Sequence, residues 1–226
     1  MNEDDDKIPI QYRNGRTEFM GIDIKVDPRV LVPRPETELL VSVTSDLLKT
    51  RIIERPLIAD IGTGSGAIAI ALADLVENGR IIASDISLDA LDVARENVRN
   101  YGKSHKITLM CSDLFAAFYA ETPDKFDAIV SNPPYVSEGD YSELDAWVKA
   151  EPKTALCGGK EGMDILKRIA SESPKVLLPG GFVAVEVGYD QADKMKKEFI
   201  INGFENIKSY RDFNDYERVI VGWKRG

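Results

Sequence analysis

Nine residues, Asp127-Ala-Ile-Val-Ser-Asn-Pro-Pro-Tyr135, constrain this chain more than any other stretch. Phe126 to Val130 is a short apolar run of the kind a buried strand needs. Pro133 and Pro134 stop that strand, because proline brings no backbone N–H to a sheet. A residue before proline is pushed towards extended geometry, so Asn132 and Pro133 are expected in a stiff, extended turn. Ligands of open α/β sheets bind beyond the carboxyl ends of the strands, where this turn would sit. The Asn132 amide oxygen and the Pro133 carbonyl would then lie close together beside the flat face of Tyr135. Two such acceptors suit the two donors of a planar NH2 group, in an amide or an exocyclic amine. An ordinary Pro-Pro turn closing a strand contains the same four residues, so the tetrapeptide alone does not decide between them.

The preceding strands add to the first reading. Leu57 to Ile61 reads as a strand, Asp60-Ile-Gly-Thr-Gly-Ser-Gly66 leads from it into a glycine turn, and Ala67 to Leu75 as an apolar helix. Gly62, Gly64 and Gly66 let the backbone approach a ligand, and the helix start offers free N–H groups. The spacing G-x-G-x-G is not the G-x-G-x-x-G of dinucleotide-binding units, and Asp60 suits a cationic ligand better than a pyrophosphate. A second strand, Arg80 to Ser84, ends in Asp85, where a ribose hydroxyl pair would be held. Leu88 to Tyr101 follows as a helix with Leu91, Ala94 and Val98 inward. A third strand, Ile107 to Cys111, runs into Ser112-Asp113-Leu114-Phe115. There Asp113 could accept an adenine amine, with Leu114 or Phe115 against the ring. Each acid alone is more often a helix cap or a solvated turn. At consecutive strand ends, together with the Asn-Pro-Pro-Tyr turn, they outline a nucleoside pocket.

On the flanks, Tyr12 to Val26 alternates around Asn14-Gly15, which predicts a β-hairpin turning there. Pro35 and Glu36 suit the start of a helix carrying Leu39, Leu40, Val43, Leu47 and Leu48. Arg34, between two prolines, reads either as a solvated arginine or as a donor fixed towards the cleft. Glu138 to Trp147 reads as a polar loop on the substrate side, and Glu151 with Pro152 as either a buttress for the turn or plain surface. Gly162 to Leu178 is expected as a helix, Gly181 to Val187 as a strand and Gln191 to Ile201 as a helix. Phe204 to Tyr210 and Glu217 to Trp223 are expected as a closing antiparallel pair. His105 lies in a turn and receives no role, so no catalytic imidazole is expected.

The acidic run Met1 to Lys7 has no apolar partner. Residues 1–9 are accordingly expected to be disordered or a remnant of recombinant expression, residues 10–30 a hairpin appendage, and residues 31–226 one α/β domain. A chain of 226 residues with 43% apolar content supports such a core. Nothing approaches the length of a membrane span, and the acidic start, where a signal peptide would be basic, is not expected to act as one. Cys111 and Cys157 match no metal spacing and fit a reduced, cytoplasmic protein. A net charge of −9 argues against broad binding to a phosphate backbone and leaves a basic protein partner open.

Asp60 to Gly66, Asp85, Asp113 and Asn132 to Tyr135 resemble class I S-adenosylmethionine-dependent methyltransferases acting on amide or amino nitrogen. More narrowly, the chain resembles the release-factor glutamine N5-methyltransferases (HemK/PrmC type) from about Tyr12 to Trp223. Phe19-Met-Gly21, Val32-Pro-Arg-Pro-Glu-Thr-Glu38, Glu151-Pro-x-x-Ala-Leu-x-Gly-Gly-x-x-Gly162, Glu186-Val-Gly-x-Asp-Gln191 and Arg211-Asp-Phe carry that likeness. The related ribosomal-protein enzymes share Asn-Pro-Pro-Tyr but differ after the Pro-Arg pair, which favours the release-factor branch. Bacterial members usually carry a helical domain ahead of the hairpin, which here begins near residue 10.

The resemblance implies a Rossmann-like α/β fold: a seven-stranded, mostly parallel sheet with helices on both faces and a C-terminal antiparallel strand. It implies S-adenosylmethionine held by Asp60, Gly62, Thr63, Gly64, Gly66, Asp85, Ile86, Asp113, Leu114 and Asn132, and no metal. It implies a release factor bound through Arg34, Pro35, Thr37, Pro134 and Glu151, with Asn132, Pro133 and Tyr135 at the reacting amide. No strong base stands beside the turn in sequence, so alignment of donor and acceptor is expected to dominate the chemistry. An amino methyltransferase acting on adenine or guanine in RNA or DNA, a ribosomal-protein glutamine methyltransferase and a cofactor-binding module without catalysis are the rival readings.

Overall fold

Along the described residues, 7–51, 53–121 and 125–226 of a computed structural model, strands and helices alternate. Of the acidic run, Met1 to Asp6 lies outside those residues; Pro9 is buried, and its carbonyl accepts from Tyr12 N at the start of α1 (Ile10–Asn14). A two-stranded hairpin follows, β1 (Arg16–Phe19) and β2 (Ile22–Lys25), then α2 (Thr37–Thr50). The main sheet is laid down by β3 (Leu57–Ile61), α3 (Ala67–Leu75), β4 (Arg80–Asp85), α4 (Leu88–Asn100) and β5 (Ile107–Cys111). After α5 (Phe118–Glu121) come β6 (Phe126–Ser131) and the short helices α6 (Glu138–Glu143), α7 (Ala146–Lys149) and α8 (Lys153–Leu156). The chain closes with α9 (Asp164–Glu172), β7 (Leu177–Glu186), α10 (Ala192–Ile201), β8 (Phe204–Arg211) and β9 (Glu217–Lys224).

The seven strands stand in the order β5-β4-β3-β6-β7-β9-β8, parallel from β5 to β7, with β9 antiparallel to both of its neighbours. Successive residues of a strand face opposite sides. Ala128 and Val130 of β6 therefore join one apolar layer, with Ile68, Ile70 and Leu72 of α3, while Ile129 joins the other, with Leu166 and Ile169 of α9. Being covered on both faces is why β3, β4 and β6 read as continuous apolar runs. The hairpin residues Phe19, Ile22, Ile24 and Val26 are buried in the first of these layers. Asn97 of α4 ties the hairpin down: Oδ1 accepts from Lys25 N at 2.9 Å, and Nδ2 donates to the carbonyls of Lys25 at 3.0 Å and Ser65 at 2.8 Å.

Three sequence expectations need correction. The hairpin turns at Met20-Gly21, not at Asn14-Gly15, since Phe19 pairs with Ile22. Gly15, at φ 69°, instead ends α1 in the left-handed region. The helix expected over Gly162 to Leu178 spans only Asp164–Glu172; Pro174 then lies in a 3-10 turn, and β7 already begins at Leu177. Glu138 to Trp147 is not one loop, because Ser137 caps α6 by accepting from Asp140 N at 3.0 Å.

Candidate functional site

Strand order reverses between β3 and β6, and ligands of such sheets bind in the crevice at that point. The glycine turn after β3 and the Asn-Pro-Pro-Tyr turn after β6 therefore face one another. Gly62, Gly64 and Asn132 line one cleft with Leu31, Pro33 and Thr37.

On the β3 side, Gly62 N and Thr63 N both donate to Ser84 O, at 2.8 and 2.9 Å. Gly64 N donates to Asp85 Oδ2 at 2.9 Å, and Ser87 N to Asp85 Oδ1 at 2.9 Å. A Cβ at Gly62 or Gly64 would meet nothing within 4 Å, whereas at Gly66 it would meet Ala94 at 3.4 Å. The first two glycines leave space above the turn, and the third lets α3 pack on α4. Asp60 is fully buried; Thr63 Oγ1 donates to its Oδ2 at 2.6 Å, while Oδ1 has no partner among the described residues. Burial, with Asp85 nearby, pushes its carboxyl up to about 7 against the opposing Thr63 hydrogen bond. Burial likewise raises Asp85, opposed by the Ser87 and Gly64 amides. Beside Asp85, Ile86 is 62% exposed, an apolar face left open at the strand end. Leu114 sits at φ 46°, a strained backbone for a leucine. Asp113 ends near β5, but its exposed carboxylate accepts from Arg168 Nη1 of α9 at 2.9 Å.

On the β6 side, Ser131 Oγ donates to Ile61 O at 2.7 Å and fixes the two strand ends together. Asn132 Nδ2 donates to Thr37 Oγ1 at 3.0 Å, which leaves Oδ1 without a donor among the described residues. Tyr135 is held at both ends. Its carbonyl accepts from Gln191 Nε2 at 2.8 Å, and its hydroxyl donates to Glu186 Oε1 at 3.2 Å. The segment after α8 presses on the turn: a Cβ at Gly158 would stand 2.4 Å from Pro134 O, and one at Gly162 2.1 Å from Tyr135 O. Only bare backbone fits there.

Arg34 and Glu151 close the rim. Glu151 is 2% exposed; one oxygen accepts from the Arg34 guanidinium and the other from Val32 N at 3.0 Å. The Arg34 guanidinium lies 5.9 Å from the centre of the Trp147 ring. Arg34 is thus held by a buried acid, and Glu151 braces the Val32–Pro35 segment.

Expected residues are thereby gathered in three groups: Asp60, Gly62, Thr63, Gly64, Gly66, Asp85 and Ile86 on one wall, Thr37 and Asn132 to Tyr135 on the other, Arg34, Pro35 and Glu151 at the rim. The roles of Glu186, Gln191, Gly158 and Gly162 are new; each lies inside a sequence marker, but its partner is far away in sequence. Burial lifts the Glu186 carboxyl to about 7, opposed by Thr37, Arg218 and Tyr135, so an acid of raised pKa does adjoin the turn.

The family described as Methyltransferase small domain matches residues 36–151. The release factor glutamine methyltransferase of Rhodopirellula baltica is 42% identical over 94% of this chain and 72% of its own length. Its counterpart in Clostridium acetobutylicum is 37% identical over 97% of this chain and 76% of its own. The crystal structure of a release-factor-specific protein-(glutamine-N5) methyltransferase from Alicyclobacillus acidocaldarius matches with TM-score 0.53 and 28% identity, over 89% of this chain and 99% of that one.

Proposed function

Because the chain belongs to the release factor glutamine methyltransferases, we propose that it methylates N5 of the glutamine in the Gly-Gly-Gln loop of a peptide chain release factor. The observation that carries this reading is the disposition of Asn132. Its Nδ2 is committed to Thr37, which leaves Oδ1 as an acceptor on a residue that lines the cleft, and the neighbouring Pro133 carbonyl, which takes no backbone donor among the described residues, would be the second. Two fixed acceptors take both N–H bonds of a primary amide and discriminate it from an ester or a hydroxyl.

S-adenosylmethionine, when bound, supplies an electrophilic methyl group on a positively charged sulfur. The residues present fit it: the orphaned, buried Oδ1 of Asp60 suits a cationic group, and the space above Gly62 and Gly64 admits a close ligand. Asp85 would take the ribose hydroxyls, and Ile86 with Leu114 the adenine faces. Thr63 and Gly66 shape the turn that presents them, and Asp113 would take the adenine amine with its remaining oxygen.

An amide nitrogen is a poor nucleophile because its lone pair is delocalised into the carbonyl. Asn132 and Pro133 hold the NH2 group so that the lone pair points along the line of transfer. Such alignment lowers a barrier by up to about 7–11 kcal/mol. As the nitrogen gains positive character, both acceptors bind it more tightly than before. The proton then leaves to water. Tyr135 packs on the amide plane, Pro134 stiffens the turn, and Arg34, held by Glu151 beside Pro35, receives the approaching loop. Residues 31–226 act as the methyltransferase domain, braced by residues 10–30, in a cytoplasmic setting.

The test is transfer of labelled methyl from S-adenosylmethionine to a purified release factor, beside the same factor with its Gly-Gly-Gln glutamine changed. Label in the intact factor alone supports both reaction and site. Label in protein-free RNA or DNA favours a nucleobase amine, and cofactor binding without any transfer favours a binding module.

A further inference from the structure

We propose that Glu186 is a positioning residue that fixes which end of the Asn132 side-chain amide faces the cleft, acting through the Thr37 hydroxyl. The inference rests on the reaction proposed above for its consequence in turnover, but the orientation itself is a property of the protein alone.

An Asn amide fits its site in two ways, related by exchange of oxygen and nitrogen, and only its hydrogen-bond partners choose between them. Here Nδ2 donates to Thr37 Oγ1 at 3.0 Å. Thr37 also has a proton to give. It is the first residue of α2, 3% exposed, and its hydroxyl donates to no acceptor among the described residues. The Glu186 carboxylate adjoins its hydroxyl, and Oε2 of that carboxylate is buried without a hydrogen-bond partner among the described residues. An ionised carboxylate only accepts. Facing it, Thr37 turns its proton towards Glu186 and its lone pairs towards Asn132, so Asn132 presents nitrogen inward and oxygen to the cleft. A neutral carboxyl or an amide at position 186 could donate to Thr37 instead. The threonine would then be free to donate to Asn132 and so favour the flipped amide, which offers the cleft an NH2 group.

The same carboxylate accepts from the Tyr135 hydroxyl through Oε1, so one buried charge orders two residues of the turn. The groups facing Glu186 are Tyr135, Thr37, Glu36 at the start of α2, and Arg218 of β9. Arg218 is itself engaged by Asp212 at 2.9 Å and by the Val187 carbonyl at 2.9 Å, and makes no hydrogen bond to Glu186 among the described residues.

The experiment follows the Asn132 side-chain NH2 signals by nitrogen-15 NMR in the cofactor-free protein, assigned by their loss in Asn132→Asp. The signals should shift with a midpoint near the value of about 7 reached by Glu186. The shift should vanish in Glu186→Gln and persist in Asp60→Asn, the control for the other carboxyl pushed up to about 7. Signals indifferent to pH from 5.5 to 8.5, or the same midpoint in Glu186→Gln, would overturn the inference. In turnover, Glu186→Gln and Thr37→Val should each lower kcat about 10- to 100-fold, the size of one misdirected buried hydrogen bond, with less change in KM. The double variant should lose little more than either single one, since both break one relay, and Thr37→Ser should keep most activity. Wild-type kcat in Glu186→Gln would also refute the relay. If the wild type methylates no release factor while the NMR shift follows Glu186, the proposed reaction fails and the orientation relay stands.

Discussion

Glycine is used for opposite purposes in the two turns that face each other across the cleft. After β3, Gly62 and Gly64 border empty space, and a side chain there would touch nothing within 4 Å. Around the turn after β6, Gly158 and Gly162 are so crowded that a Cβ would lie inside the carbonyls of Pro134 and Tyr135. The hydrogen bonding follows suit: on the β3 side Asp60 Oδ1 meets the hydrogen-bond criteria with no group among the described residues, whereas the β6 turn is held by Thr37, Gln191 and Glu186. One wall is kept open for something to occupy, and the other is immobilised before anything arrives. That division suits a site in which binding is adaptable and alignment is not.

The sharpest way to break this contrast is Asn132→Ala. It should lower turnover about 10²- to 10³-fold while the affinity for S-adenosylmethionine, by calorimetry, changes less than about twofold. Wild-type-like turnover would refute the two-acceptor clamp. Gly162→Ala comes next, with destabilisation of about 2–4 kcal/mol in urea unfolding, because the added carbon overlaps Tyr135 O and the φ of 68° is unfavourable for alanine. Its counterpart Gly62→Ala should lose only about 1–2 kcal/mol, the price of a left-handed backbone alone. Equal losses in the two alanine variants would erase the distinction. Asp85→Ala should weaken the cofactor about 10- to 100-fold with kcat at saturation nearly intact; unchanged affinity would remove Asp85 from the ribose role.

The smallest effect concerns Asp60. Its folded pKa of about 7 exceeds the ordinary carboxylate value, so the folded state binds the proton more tightly than the unfolded chain. Stability from that preference is complete below the unfolded value and is lost as pH rises through 7. Asp60→Asn should therefore raise the melting temperature of the cofactor-free protein by a few degrees at pH 8 and hardly at all near pH 4. A variant that melts lower at pH 8 would mean that the buried charge is stabilised by a partner.

The strand ends were legible in the sequence because their signals are local. Apolar runs punctuated by Asp60, Asp85, Asp113 or Asn132 lie where β3, β4, β5 and β6 stop. The hairpin turn was misplaced because Asn14-Gly15 is the stronger local signal, yet Gly15 serves equally well as a left-handed helix end. Met20, an unpromising residue at φ 52°, turns there because Glu38, eighteen residues on, accepts its N–H at 2.8 Å. Glu186 and Gln191 stood out as a marker, but their roles were not legible for a similar reason. Each reaches Tyr135 from more than fifty residues away, and nothing in its own neighbourhood signals that partner. Asp113 could be read as a free acceptor only while Arg168, on a distant helix, was out of sight.

The placement of the cleft between β3 and β6 also dictates when it can come into being. Those strands pair in parallel although Ile61 and Ser131 lie seventy residues apart, with β4 and β5 threaded between them in the chain. Closing so long a loop precedes any reward from the contacts it brings, so pairings of this kind form slowly and late. Local units such as the β1–β2 hairpin can assemble while the two walls are still far apart. The crevice is thus among the last features to mature during refolding, and recovery of cofactor binding would time the completion of the central sheet rather than its beginning.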